Sequence, residues 1–64
     1  MKDIDGAISD LDRAIELNPK MARTYLNRGI LKASRNDAGA CLDFQEAKML
    51  HSAEADQYVK RFCK

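Results

Sequence analysis

Neither sign of charge dominates this 64-residue sequence: eleven Lys and Arg face ten Asp and Glu, for a net +1. Nucleic-acid binding calls for a basic excess on one face, so the balance gives no electrostatic reason to expect it. No run of 18 apolar residues occurs, and a membrane-spanning helix needs about that many. The start is not a secretory leader, because Met1-Lys2 runs straight into Asp3, Ile4, Asp5 and Gly6 without an apolar core. Proline and histidine occur once each and cysteine twice, and no Gly/Ser linker or low-complexity segment is present. The glycines are too scattered for a phosphate loop, and no nucleophile stands beside a base. These gaps point away from an enzyme and from any bound cofactor.

What is present is a repetition. Slid by 33 residues, Gly6, Ala7, Asp10, Ala14 and Leu17 fall on Gly39, Ala40, Asp43, Ala47 and Leu50. Ala22, Tyr25 and Arg28 fall on Ala55, Tyr58 and Arg61, making 8 identities in 31 compared positions. A period of this size marks one supersecondary unit stacked on copies of itself. Sixty-four residues allow a single small domain, 1–64. Such a chain buries only about 60% of its unfolded surface, so it needs a staple or a neighbour.

Apolar spacing predicts four helices and no strand. The first covers about Asp3–Leu17, with Ile4, Ala7, Ile8, Leu11, Ala14 and Ile15 in one stripe, acidic residues at its start and Asn18-Pro19 as its stop. The second covers about Lys20–Arg35, with Met21, Ala22, Tyr25, Leu26, Gly29, Ile30 and Ala33 on its apolar face. Gly29 costs about 1 kcal/mol inside a helix, which calls for close approach of a neighbouring backbone. Asn36-Asp37 breaks the chain before a third helix, about Ala38–Leu50, with Ala40, Cys41, Phe44, Ala47 and Leu50 inward. Ser52 caps a fourth, about Ala53–Cys63, burying Ala55, Tyr58, Val59 and Phe62. Short connections make sequence neighbours antiparallel.

These residues resemble the tetratricopeptide repeat, a helix-turn-helix unit of about 34 residues. Tyr25 and Gly29 hold first-helix places of its pattern; Ala7-x3-Leu11 with Pro19, and Ala40-x3-Phe44, hold second-helix places. The stretch AIELNPKMARTYLNRG looks like bacterial members. Arg28 and Lys32 depart from the pattern, Ser52 replaces the second proline, and the spacing from Gly29 to Ala40 is one residue short. The resemblance implies an all-α superhelix: 1–19 as the second helix of a preceding repeat, 20–52 as one complete repeat, and 53–64 as a C-terminal capping helix. It implies a longer parent protein, and a first helix that hides its stripe by self-association into a homo-oligomer.

The resemblance also implies a binding module for a protein or peptide, with a groove formed by Arg23, Leu26, Asn27 and Ser34, and by Asp56 and Lys60 on the last helix. Asn27 would hydrogen-bond a peptide backbone; Arg23 and Lys60 would meet carboxylates. The alternative is a structural cap of a longer array with no ligand of its own.

Cys41 and Cys63 lie equally far on either side of the turn at Ser52, so both sit at one level of the last hairpin. A disulfide there and two thiols that never meet are both open; the bridge would be worth about 3 kcal/mol. A bridge would favour an exported setting, its absence the cytoplasm. His51 is a poor partner for either cysteine, since ten helical residues at about 1.5 Å each separate their levels. Asp10 with Arg28 and Asp43 with Arg61 recur at the repeat period and are expected as inter-helix ion pairs, with Arg28–Asp43 as the rival. Arg28, Lys32 and Arg35 form a basic line, either a landing strip for acidic ligands or a face paired with neighbouring acids.

Overall fold

The computed structural model describes residues 3–63 and is all-α. Four helices follow in order: α1 (Ile4–Leu17), α2 (Ala22–Ser34), α3 (Gly39–Met49) and α4 (Ala53–Phe62). Each boundary lies within two residues of the sequence expectation. Met1, Lys2 and Lys64, which belong to the expected first and last segments, lie outside the described residues. The packing is sequential, α1 on α2, α2 on α3 and α3 on α4.

The helix ends follow from particular side chains. Asp3 accepts the Gly6 amide at 2.9 Å and opens α1. Pro19 disfavours helical backbone at the residue before it, and Asn18 accordingly leaves the helical region, at φ −147° and ψ 86°. Asp37 accepts the Gly39 amide at 2.8 Å and starts α3, and Ser52 accepts the Ala55 amide at 3.3 Å at the start of α4. With no proline to stop them, α2 and α3 end by a left-handed residue instead. Asn36 takes φ 56° and His51 takes φ 73°. The Asp37 and Asn36 amides donate back to the Lys32 and Ala33 carbonyls, and the Ser52 and His51 amides to those of Ala47 and Lys48. Both are Schellman closures, a motif in which glycine is usual and histidine is strained.

The core sits on α3. Phe44 is fully buried, joined by Leu26, Ala40, Ala47 and Ala55, and flanked by Tyr25, Ala33, Tyr58 and Val59. Burying a phenylalanine stabilises by roughly 1.5–3 kcal/mol relative to leaving it exposed. Its ring stacks on Tyr58 at 4.9 Å and tilts against Phe62 at 5.4 Å. Gly29 is where α2 receives it: a Cβ built on that glycine would lie 2.6 Å from the Phe44 Cε1 and 3.2 Å from the Asp43 Cβ. The close neighbour is therefore a side chain, not the backbone expected from the sequence.

Three apolar positions differ from expectation. Met21 and Ile30, expected inward on α2, are exposed. Phe62 is 45% exposed, because it closes α4 and only part of its ring rests on Phe44 and Tyr58. Two polar residues that periodicity did not mark, Thr24 and Asp43, are buried instead. No residue of α1 is fully buried, since α2 is the helix packed broadly against its stripe.

Candidate functional site

Between α1 and α2 the chain leaves an open groove of about 410 Å³, lined by Ala7, Asp10, Leu11, Asn27, Ile30 and Leu31. It forms because the α1 stripe is broader than the one helix laid against it. Ala7 and Leu11 form one wall and Ile30 and Leu31 the other, with the Asp10 carboxylate and the Asn27 amide as the polar groups. An apolar floor with a few polar groups is the usual character of a recognition groove. A second, smaller cavity of about 220 Å³ lies where the end of α2, the start of α3 and the end of α4 meet, beside Cys41 and Phe62.

The six residues implied as a groove are not gathered into one surface. Asn27 lines the α1–α2 groove, whereas Arg23 and Ser34 are exposed on α2 outside its lining. Leu26 corrects the sequence reading: at 5% exposure it belongs to the core, and its place against α3 removes it from any ligand. Asp56 is occupied within the chain, with Lys48 Nζ at 3.1 Å and Lys60 Nζ at 3.3 Å. The hydrogen bond from Lys48, then that from Lys60, lowers the Asp56 pKa from its ordinary value. Lys60 thus meets a carboxylate of its own helix. The residues that sequence reasoning missed are Ala7, Asp10, Leu11, Ile30 and Leu31 as one concave surface. The signal was available, since all five sit on the facing sides of two adjacent amphipathic helices.

The ion pairs run differently from either periodic expectation. Arg28 Nε and Nη2 donate to the two oxygens of Asp43 at 2.9 and 2.7 Å, the rival pairing of the sequence reading. Its third nitrogen, Nη1, donates at 2.6 Å to Asp12, not to Asp10. Asp10 points instead into the groove. Asp43 does not meet Arg61, because α2 lies over it and supplies both Arg28 and, at 3.5 Å, Lys32. The hydrogen bonds that Arg28 donates to Asp43 raise the Arg28 pKa against the opposing effect of burial. A two-pronged Arg–carboxylate pair with a carboxylate only 4% exposed is a strong, oriented contact. Arg28 also lies over the Tyr25 ring at 5.7 Å, so one side chain ties α1, α2 and α3 together. Arg35 pairs with Asp5. The basic line of α2 is therefore matched by acids of α1 and α3.

Cys41 and Cys63 are joined, with Cα atoms 5.2 Å apart, pinning the end of α4 to the start of α3. His51 is exposed in the α3–α4 turn. Among the described residues no group of three His, Cys, Asp or Glu side chains is placed to hold a metal ion, and no helix is long and apolar enough to cross a membrane. No family model matches this chain, and no curated protein or solved structure matches it either.

Proposed function

We propose that this chain is a non-catalytic protein-interaction module of tetratricopeptide type, and that the groove between α1 and α2 is its binding surface. The observation that carries this reading is the groove itself: two walls built of four apolar side chains, Ala7, Leu11, Ile30 and Leu31, with one carboxylate and one amide among them. Such a surface suits an amphipathic helix that offers an apolar anchor and a cation for Asp10, the helix-in-groove mode of recognition. The repeat period and the sequential packing of four helices support the family assignment.

The test is a peptide array of amphipathic helices bearing an aromatic anchor and one arginine, probed with the purified chain. Ile30→Lys places a charge on the groove wall and should abolish capture. Asn27→Ala should weaken it, and Arg23→Ala, outside the groove, should leave it intact. Capture that survives Ile30→Lys would refute the assignment. The cap reading has one observation in its favour, the covalent pinning of α4 by Cys41–Cys63. It is disfavoured by the exposed ring of Phe62, since a terminating face is expected to be polar.

A further inference from the structure

The repeat relation says what should occupy the groove. Sliding by 33 residues lays α1 on α3 and α2 on α4. Within the chain, α2 and α3 are held by the Arg28 fork on Asp43 and by the Phe44 ring set against Gly29. The first helix carries the same surface as α3: Ala7, Asp10, Leu11 and Ala14 stand where α3 has Ala40, Asp43, Phe44 and Ala47. The fourth helix carries the counterpart of α2, with Arg61 in the place of Arg28 and Phe62 in the place of Gly29. In α3 these positions are buried; in α1 Asp10 is exposed and the other three are only half-buried. Arg61 is exposed as well, and the Phe62 ring is open on one side. The two surfaces are on the first and last helices of a sequentially packed row, so they are positioned to meet between molecules.

Resting on the groove reading above, we infer that its occupant is the fourth helix of a second copy, docked head to tail. Arg61 of one copy forks the Asp10 carboxylate of the next, as Arg28 forks Asp43, and the Phe62 ring enters the groove beside Leu11 and Ile30. The steric exchange is complementary. Inside the chain the ring comes from α3 and the gap from a glycine on α2. At the joint the ring comes from α4, and the space comes from the smaller Leu11 together with the open groove of about 410 Å³. One aromatic ring fills each joint, and one Arg–Asp fork orients it. Such a contact is heterologous, so copies add in rows or close into rings and do not stop at a two-fold dimer.

Sedimentation velocity over a concentration series tests this. The weight-average mass of the wild-type protein should rise with concentration past two copies. Asp10→Arg and Arg61→Asp should each raise the self-association constant Kd at least about tenfold, because like charges then face each other at the joint. An equimolar mixture of the two variants should associate again, and so should the double variant D10R/R61D. Circular dichroism should show every variant equally helical, since both residues are exposed. A protein that stays monomeric up to about 1 mM overturns the inference. A two-copy complex that saturates, or single reversals without effect, does the same. Amide shift mapping separates this from failure of the groove reading. If array peptides perturb Leu11, Ile30 and Leu31 while the protein stays monomeric, the groove stands and the second-copy inference falls. If self-association perturbs other residues and those peptides leave the groove unperturbed, both fall.

Discussion

Substituting Gly29 with alanine pits two known effects against each other, and the geometry decides between them. In an exposed helix the change should stabilise by about 1 kcal/mol, since alanine is the better helix former. Here the new methyl would stand 2.6 and 2.8 Å from two carbons of the Phe44 ring and 3.2 Å from the Asp43 Cβ. The ring cannot yield easily, because it is fully buried and packed against both Tyr58 and Phe62. Asp43 is held by the Arg28 fork. Overpacking of this kind costs typically 1–3 kcal/mol, and two contacts below 3 Å place it at the upper end. The net expectation is a loss of about 1–2 kcal/mol, a fall in Tm of roughly 5–15 °C for a domain of this size. Urea and thermal unfolding followed by far-ultraviolet circular dichroism would measure it. Repeating the substitution in a Phe44→Leu background, which puts at this site the residue found at Leu11, supplies the control. With the ring gone, Gly29→Ala should become neutral or stabilising, a coupling of more than about 1 kcal/mol in the double-mutant cycle. An alanine variant at least as stable as the parent with Phe44 intact would refute the reasoning.

Three further outcomes follow from the same structure. His51→Gly should raise stability by about 0.5–1 kcal/mol, because the left-handed backbone at φ 73° strains histidine and not glycine, and Asn36→Gly should gain less; chemical unfolding compares them. Replacing Cys41 and Cys63 together by alanine, or reducing them, should cost about 3 kcal/mol through the freed loop of 22 residues, and parallel melts with and without reductant read the difference. Asp56 should titrate below its ordinary value of 3.8 in a carboxyl-carbon NMR titration and return toward it in Lys48→Ala. A carboxylate with a depressed folded pKa supports the fold above the unfolded value and loses that support as pH falls through the folded one, so any contribution from Asp56 disappears in acid.

Much of the scaffold was legible in the sequence because helix periodicity and end signals are local. Asp3, Pro19 and Ser52 each act within a few residues of themselves, and the helices accordingly end where those residues imply. Equal spacing about the turn at Ser52 likewise puts Cys41 and Cys63 at one level. What the sequence could not show was how each helix is rotated about its axis. Asp10 and Asp12 are separated by about 200° around α1, and only the packing angle decides that Asp12 meets Arg28 while Asp10 faces the groove. The same rotation buries Leu26 and leaves Ile30 at the rim. The Arg28–Asp43 pair stands among the pairings the sequence offers, but the burial of Asp43 depends on α2 lying across it, a contact with no local signature. The left-handed turn at His51 was hidden for a different reason: glycine, its usual marker, is absent there.

The uneven distribution of fastening along the row implies an uneven order of opening. A covalent bond and a buried ring secure α3 and α4, whereas α1 contributes no fully buried side chain and is tied by charged contacts at its surface. Amide hydrogens should accordingly exchange fastest in Ile4–Leu17 and slowest around Phe44, a gradient and not a single threshold. Thermal motion would then unzip the molecule from its first helix, making the segment that walls the groove also the easiest one to lift away.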